Sequence, residues 1–395
     1  MDNQEALVDS LLKRIYVSSE EDARSIVSDL ESRYNYYREC IIQRDQLDKK
    51  LSEILKQKKR DGVSVPKLEF METKDELRNW KMKTHTAEKQ VLAFCSSIPN
   101  LLTDFNLISH TNAGAISSDS YLKHLLDDCR TEKKVRSSAF ELDYQVGVTA
   151  LLELELCGYI SQYLCKSKLT EVTTPAFVRQ EVIESLGFSY QDKDTYTLQT
   201  KAQLHADVGF RSKDTVGDRQ AKPEDHDVYK AYGVTDTSLM LYFMRQTTPQ
   251  HTLPLSIFAI GNQYRLPFVG KPRQSKVVAI LSTAQSAESA LKLFKSNVEL
   301  TLQLWTSLGV VVEMKRVEPH LLAHHEAAAV ECEMLTSQQQ RPVLSRLSLS
   351  NDHVSRKMMA TFDGSVVDDK FLHFTAGEFA DITVFIEALQ NSNVQ

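Results

Sequence analysis

The sequence has no long apolar run, no excess of positive charge and no closely paired cysteines, and each absence excludes a class of protein. No stretch reaches the ~18 apolar residues that a membrane-spanning helix needs, so we expect a soluble protein. The formal net charge of -6 excludes a uniformly basic protein that coats nucleic acid, although a local basic patch can act inside an acidic chain. The acidic start MDNQEALVDS is unlike a signal peptide, and a removed transit peptide would leave such a start.

Several motifs of common catalytic and metal sites are also missing. The six cysteines include no C-x-x-C pair, which predicts buried free thiols rather than disulfides or a zinc site. There is no G-x-x-x-x-G-K motif, and no Ser/His/Asp or Cys/His grouping has a spacing that indicates nucleophilic catalysis. The length of 395 residues suits one large domain or two ordinary ones.

The first 104 residues have a helical pattern. A short amphipathic helix ends near KRIY, and Ser18 or Ser19 can cap a second helix with an acidic first turn. From residue 40 to 58 and from 70 to 98, seam positions recur in steps of three and four on two segments joined by a turn near Asp61. This pattern predicts an antiparallel coiled-coil hairpin, an arm-like domain over residues 1–104.

The predicted hairpin is basic toward its tip. Cations outnumber carboxylates by four between residues 44 and 60. A solvated helix end explains such a cluster equally well. The functional alternative is contact with an RNA phosphate backbone, which would read shape rather than base sequence. The candidate RNA-binding residues are Arg44, Lys49, Lys50, Lys56, Lys58, Lys59 and Arg60.

Residues 105–395 have a different texture. Apolar, strand-like stretches at 170–178, 253–265, 275–281, 310–317 and 344–350 alternate with helices near 147–165, 286–308 and 378–390. Strands joined mostly by loops and hairpins, with helices on one side, predict an α+β domain around an antiparallel sheet. The polar stretch 213–228 is the best candidate for a mobile surface loop.

The order of these landmarks resembles seryl-tRNA synthetase over nearly the whole chain. LELELCGYISQYLCKSKLTEVTTPAF is similar to class II motif 1, with Pro175 in the place of the motif proline. NQYRLP resembles motif 2 and HFTAGEFADITVFIEALQN resembles motif 3. The resemblance implies a class II aminoacyl-tRNA synthetase-like sheet domain, a dimer interface at motif 1 and an arm that grips serine tRNA.

The same resemblance implies an incomplete catalytic site. Arg265 matches the motif 2 arginine and is the one clean match, while Pro267 stands where the family has a glutamate. Gln274 replaces the aromatic residue that stacks on adenine, and Val278 replaces a carboxylate four residues later. Arg265 is therefore expected to be vestigial.

Three further positions implied by the family also lack the required side chain. A metal carboxylate falls on Ser345 or Arg346, and the carboxylate for the substrate ammonium falls on Ser238 or Thr237. The motif 3 arginine falls on Thr383 or Ile382, and no arginine follows residue 356. Losing one charge-stabilising donor costs about 10²- to 10³-fold in rate, so losing several predicts no activity, no metal and no cofactor.

The histidines invite a metal interpretation that the pattern does not favour. His320 and His324 are four residues apart and Glu326 follows, a spacing that can chelate zinc on a helix. The segment instead passes from a strand into a polar connection, so surface histidines are expected. His373, among aromatic residues, is expected to pack in the core.

A synthetase scaffold that keeps its arm and dimer segment but lacks its catalytic parts most resembles the insect mitochondrial seryl-tRNA synthetase-like, non-aminoacylating paralogue family. That resemblance implies a pseudoenzyme of the mitochondrial matrix that forms a heterodimer with the authentic mitochondrial seryl-tRNA synthetase, helps bind serine tRNA and supports mitochondrial translation. Two alternatives stay open. One is a divergent but active serine-tRNA ligase, and the other is a homodimeric nucleic-acid-binding regulatory module.

Overall fold

A computed structural model describes residues 2–60, 67–107, 120–129, 135–136, 143–185, 196–198, 229–265, 273–336, 341–363 and 371–391. The predicted surface loop 213–228 and Pro267 lie outside these ranges. The chain divides into two compact units. The first comprises Met1–Leu101 with Pro319–His324, and the second comprises Leu102–Glu318 with His325–Gln395. The assignment of the short segment Pro319–His324 to the first unit was not predicted.

The first unit is helical. Its helices are α1 (Asp2–Lys13), α2 (Glu20–Arg60) and α3 (Lys67–Ser97). Ser19 Oγ accepts a hydrogen bond of 3.1 Å from the amide of Asp22, and the first turn of α2 is acidic, as the sequence predicts. A 3-10 turn at Pro319–Leu321 completes the unit.

The long helices α2 and α3 form the predicted coiled-coil hairpin. Thr84 Oγ1 on α3 donates a 3.3 Å hydrogen bond to the carbonyl of Cys40 on α2, where the two helices meet. Every seam position whose side chain is described is buried or half-buried. These positions are Cys40, Arg44, Leu47, Leu51, Ile54, Phe70, Thr73, Leu77, Trp80, Thr84, Ala87, Val91, Phe94 and Ile98.

The second unit contains both helices and strands. Its α-helices are α4 (Ser120–Cys129), α5 (Val148–Lys166), α6 (Gln180–Ser185), α7 (Asp236–Met240), α8 (Ala287–Ser307), α9 (His353–Met358) and α10 (Ile382–Asn391). Two 3-10 turns span Leu241–Phe243 and Gln250–Thr252. Its strands are β1 (Val135–Arg136), β2 (Asp143–Tyr144), β3 (Thr170–Glu171), β4 (Phe177–Arg179), β5 (Tyr196–Leu198), β6 (Tyr229–Ala231), β7 (Thr247–Thr248), β8 (Leu255–Arg265), β9 (Arg273–Ala284), β10 (Val312–Arg316), β11 (Ala328–Met334), β12 (Val343–Asn351), β13 (Thr361–Phe362) and β14 (His373–Asp381).

The central sheet has seven described strands in the order β10-β11-β12-β14-β9-β8-β3. Neighbours pair antiparallel except β3, which lies parallel to β8 at the edge. Three small sheets accompany it: β1-β2, β13-β7 and β4-β6-β5. This arrangement confirms the predicted α+β class. The predicted final helix at 378–390 begins too early, because residues up to Asp381 continue β14 and the helix begins at Ile382.

Each face of the central sheet carries its own apolar core. Alternation along β9 sends Val278 and Ile280 into one core, with α4, α5, α8 and α10. Val277 and Ala279 point into the other, with the short helices α7 and α9. The sequence predicted helices on one side only. It missed the second layer because α7 and α9 are too short to show helical periodicity.

Two further predictions concern the state of the cysteines and the absence of a membrane-spanning helix. None of the six cysteines forms a disulfide, as predicted, but Cys95 and Cys165 are exposed and only three of the six are buried. Burial raises the pKa of Cys332 to about 12 and that of Cys157 to about 11. Within the described ranges, no helix is both long enough and apolar enough to cross a membrane.

Candidate functional site

A pocket of about 480 Å³ opens on the face of the central sheet that carries α7 and α9. Strands β8, β9, β11, β12 and β14 contribute most of its lining, and α10 contributes a second wall. The described lining residues are Arg265, Arg273, Glu331, Pro342, Val343, Arg346, Glu378, Asp381, Val384, Glu387, Ala388 and Asn391.

Arg265 ends β8 and lies opposite Arg273, the first residue of β9. Its guanidinium forms an ion pair with Glu378, whose side chain is only 17% exposed. Gln263 Nε2 donates a second hydrogen bond, of 2.8 Å, to the same carboxylate. Burial lowers the pKa of Arg265, and the charges of Asp381 and Asp236 oppose that shift. The arginine that resembles a catalytic residue is therefore engaged by a carboxylate of its own chain.

Arg346 on β12 is also paired. It binds both carboxylate oxygens of Glu326, a side chain that is 2% exposed, and its Nε donates a 3.2 Å hydrogen bond to Glu331. Burial lowers the pKa of Arg346, but the hydrogen bond to Glu326 and the charges of Glu326, Glu331 and Asp236 together oppose burial, and the pKa is raised. A bidentate, largely buried pair of this kind is held strongly because breaking it leaves a charge unpaired.

The third arginine of the pocket pairs with α10. Arg273 lies 3.2 Å from Glu387 and donates a 3.1 Å hydrogen bond from Nε to Ser275 Oγ. Asp381 accepts a 2.9 Å hydrogen bond from the amide of Val384 and so caps the start of α10. Burial raises the pKa of Asp381, although that hydrogen bond and the charges of Arg273 and Arg265 oppose the shift.

The described lining thus has three arginines and four carboxylates. The family resemblance matched Arg265 alone to a catalytic arginine, and Arg273 and Arg346 are two further arginines of this pocket. Arg273 and Arg346 add positive charge, while Glu331, Glu378 and Glu387 neutralise it. Glu331 and Arg346 face each other in the β11–β12 register, a pairing that the sequence does not show without the fold.

The sequence-predicted positions mostly lie away from this pocket. Val278 is fully buried in the core that contains α8. Ser345 also points toward α8, since it accepts a 2.8 Å hydrogen bond from Trp305 Nε1. Of the two alternatives for the metal carboxylate, Arg346 is the one that faces the pocket. Gln274 is exposed and is absent from the described lining of the pocket.

The two remaining described positions have structural partners. Thr383 Oγ1 accepts a 2.8 Å hydrogen bond from the amide of Lys276, tying α10 to β9. Ser238 completes a capping box at the start of α7: its amide donates to Thr235 Oγ1 at 3.0 Å, and the amide of Thr235 donates to Ser238 Oγ at 2.9 Å. Both hydroxyls therefore serve local structure.

No described group of three or more His, Cys, Asp or Glu side chains is arranged to hold a metal ion. His320 and His324 are exposed, as predicted. His325 is half-buried, and burial lowers its pKa. The charges of Glu326 and Asp236 oppose this shift, and those of Arg346 and Lys357 reinforce it. His373 is half-buried beside Phe374 of the α7 and α9 core. The carboxylates that line the pocket do not fit a magnesium site, since three are bound to arginine and Asp381 caps a helix.

The basic tip of the arm is described in part. Helix α2 extends to Arg60, and the side chains of Lys56, Lys58, Lys59 and Arg60 lie outside the described residues. Lys49 and Lys50 are exposed. Arg44 is half-buried in the seam and donates hydrogen bonds of 2.8 and 2.7 Å to Asp45. The carboxylate of Asp45 therefore offsets the positive charge that Arg44 would present to a phosphate.

Helix α5 presents apolar side chains outward in the motif 1-like segment. Its inner face is buried through Leu152, Leu156 and Ile160. On the outer face Leu151 and Leu154 are 47% and 68% exposed. Nearby in sequence, Tyr144, Val146 and Phe177 are also exposed. Exposed apolar side chains grouped in one segment are typical of an interaction surface.

No protein-family model matches the sequence, and no curated protein matches it. Solved structures do match in three dimensions. The cytoplasmic serine-tRNA ligase from Naegleria fowleri in complex with AMP aligns with a TM-score of 0.72 and 13% identity, over 98% of this chain and 89% of that one. The seryl-tRNA synthetase from Pyrococcus horikoshii complexed with ATP aligns with a TM-score of 0.72 and 14% identity, over 100% of this chain and 93% of that one.

A third match is more partial. The prolyl-tRNA synthetase from Cryptosporidium parvum complexed with L-proline and AMP aligns with a TM-score of 0.52 and 11% identity, over 71% of this chain and 53% of that one. The agreement with the two serine enzymes covers both the helical arm and the sheet unit. The chain therefore has the fold of a seryl-tRNA synthetase, with a coiled-coil arm followed by a class II synthetase-like sheet domain.

Proposed function

We propose that this chain is a catalytically inactive seryl-tRNA synthetase paralogue that serves as a structural subunit. It dimerises with the authentic mitochondrial seryl-tRNA synthetase in the mitochondrial matrix, helps bind serine tRNA and so supports mitochondrial translation. The finer family assignment is to the insect mitochondrial seryl-tRNA synthetase-like paralogues. The observation that carries the proposal is the pairing of all three described pocket arginines with carboxylates of the same chain.

The pairing argues against adenylate chemistry. ATP brings several negative charges into the site, and a catalytic pocket must meet them with cations and a metal that are free to bind. Here the lining carboxylates outnumber the lining arginines, so an incoming polyphosphate meets repulsion and must break three ion pairs. Serine-dependent ATP–pyrophosphate exchange by the purified chain would show a divergent active ligase and overturn this part of the proposal.

The outward face of α5 supports a partner subunit. Leu154 is 68% exposed, while Leu152 and Leu156 on the same helix are fully buried. Replacing Leu154 with Asp places a charge on this face and is expected to abolish association with the active synthetase. Leu321, 63% exposed in the other unit, provides the matched control, and Leu321→Asp is expected to leave association unchanged.

The arm supports a role in binding tRNA. Its helical hairpin ends in the basic segment Lys56–Arg60, and each phosphate contact made by such cations would release counterions. Lys58→Glu with Lys59→Glu is expected to weaken binding of serine tRNA at least tenfold and to reduce its salt dependence. Lys292→Glu with Lys295→Glu changes the same charge on the exposed part of α8 and should have little effect.

The decisive experiment is copurification followed by charging. The chain and the active mitochondrial synthetase are expressed alone and together, and their oligomers are sized before serine tRNA is charged. A mixed oligomer with a raised yield of seryl-tRNA supports the proposal. If neither oligomer composition nor yield changes on mixing, the subunit role is wrong. Equal, salt-dependent binding of serine tRNA and unrelated single strands by a homodimer would favour the regulatory-module alternative instead.

A further inference from the structure

Glu378 lies between cationic side chains from both sides of its strand. On β14 it faces Arg346 of β12 in the strand register, and Ala279 of β9 lies opposite it on the other side. Arg265, one strand farther away on β8, reaches across β9 to form an ion pair with it. Gln263, also on β8, donates a 2.8 Å hydrogen bond to the same carboxylate.

The backbone around Glu378 fixes this placement. Gly377 has φ of +153°, and a Cβ at that position would lie 2.1 Å from the carbonyl oxygen of Arg346. Strands β12 and β14 therefore approach closely just before Glu378, and the β14–β9 register shifts between Glu378 and Ala380. Ala376 belongs to the core with α7 and α9, on the pocket side of the sheet. Phe379 belongs to the core with α8, on the opposite side. The Glu378 side chain is directed into the pocket for these reasons.

We propose that Glu378 acts as an internal anion that masks a latent phosphate-binding site formed by Arg265 and Gln263. A carboxylate and a phosphate accept the same charge-assisted hydrogen bonds from a guanidinium, so the side chain occupies the place that a phosphate monoester would take. The other two arginines of the pocket have their own partners in Glu326, Glu331 and Glu387. Removing the Glu378 charge therefore takes away the ion-pair partner of Arg265 and leaves those pairs intact.

This inference deepens the proposed function, because it rests on the inactive pocket and names the group that keeps small phosphates out. It does not depend on a partner subunit or on tRNA. The binding test below can therefore fail while the subunit proposal stands, and the charging experiment can fail while the masked site stands.

Isothermal titration calorimetry of the full chain with AMP and with inorganic phosphate tests the proposal. The wild type is expected to bind neither measurably at millimolar concentration. Glu378→Gln preserves the shape of the side chain and an acceptor for Gln263. This variant is expected to bind AMP and inorganic phosphate with dissociation constants at least tenfold below the limit set by the wild type. Binding of AMP without inorganic phosphate would show that the base rather than Arg265 dominates, and would overturn the proposal.

Two controls separate the site from general charge effects. Glu333→Gln removes the same charge from β11, where Glu333 pairs with Lys315 and is absent from the pocket lining, and no gain in binding is expected. Adding Arg265→Gln to Glu378→Gln is expected to abolish the gain. Equal gains in the Glu333 variant, a gain that survives loss of Arg265, or wild-type binding as tight as the variant's would each overturn the inference.

The folding of the variant is checked by its thermal transition before titration. If Glu378→Gln does not fold, Glu378→Ala carries the same test, since it also frees Arg265 and leaves more room in the pocket. A folded Glu378 variant that binds neither phosphate nor AMP would refute the masked site.

Discussion

The indole of Trp305 on α8 donates a 2.8 Å hydrogen bond to Ser345 on β12, and Ser345 Oγ in turn donates a 2.7 Å hydrogen bond to the carbonyl of Phe379 on β14. Ser345 is 2% exposed, so the hydroxyl joins a helix and two strands inside the core. A position that aligns with a metal carboxylate in the family resemblance thus serves packing in this chain.

Loss of this hydroxyl is expected to destabilise the second unit. Ser345→Ala leaves the Trp305 N–H and one buried acceptor unpaired, and we expect the free energy of unfolding to fall by about 1–3 kcal/mol. Urea unfolding followed by circular dichroism measures the change. Ser296→Ala, on the exposed side of the same helix as Trp305, should change stability by less than about 0.5 kcal/mol. Similar losses in both variants would contradict the role of the network.

Two glycines are expected to respond in opposite directions to alanine. Gly377→Ala forces a Cβ to within 2.1 Å of the Arg346 carbonyl oxygen at φ of +153°, and should cost more than about 1 kcal/mol. Gly158 lies in the interior of α5 with no atom within 4 Å of an added Cβ, so Gly158→Ala should stabilise the chain by about 0.5–1 kcal/mol. Thermal unfolding of the two variants beside the wild type shows both signs. A stabilising Gly377→Ala would mean that β12 and β14 are farther apart than described.

The coiled-coil seam gives a third prediction. Leu77 is 5% exposed in the seam of α3, and Leu77→Ala should destabilise the arm by about 2–4 kcal/mol through lost burial and a cavity. Leu92, 60% exposed on the same helix, supplies the control, and Leu92→Ala should be nearly neutral. Amide hydrogen exchange of α2 and α3 reports on the arm separately from the sheet unit. Faster exchange in the Leu92 variant than in the Leu77 variant would show that the seam has been assigned to the wrong face.

His325 predicts a pH dependence of stability. Burial lowers its pKa from the ordinary 6.5, while Glu326 and Asp236 oppose the shift and Arg346 and Lys357 reinforce it. As pH falls through 6.5 the unfolded chain takes up a proton that the folded chain does not, so stability decreases toward acid. The loss attributable to this group is at most about 1.4 kcal/mol per pH unit.

The measurement compares the wild type with His325→Gln, which cannot take up that proton. The background is Trp80→Phe, so that fluorescence of Trp305, the remaining tryptophan, reports the second unit. Urea unfolding at pH 7.5, 6.5 and 5.5 should show a steeper loss toward acid in the chain that keeps His325. Parallel losses in the two chains would show that other groups control the acid response.

Elements with long and local patterns could be predicted from the amino-acid sequence. The seam from Cys40 to Ile98 specified the hairpin because a heptad-like repeat on two adjoining segments has one economical way to bury its apolar side. Long alternating or apolar stretches likewise specified β8, β9 and β12, and Ser19 specified the start of α2. These signals depend on near neighbours in the chain, so they can be read without the fold.

The chemistry of the pocket depends on how the strands pair in three dimensions. Arg265, Arg346 and Glu378 come from three strands that are distant in sequence, and strand register alone places them together. A shift of one residue moves a side chain to the opposite face of a sheet. This is why the alignment placed Ser345 and Val278 in the site, although both lie on the face that carries α8. Counting arginines along the chain could not show that each one would meet a carboxylate. That pairing is set by which strands are neighbours and in which register, and not by spacing in the sequence.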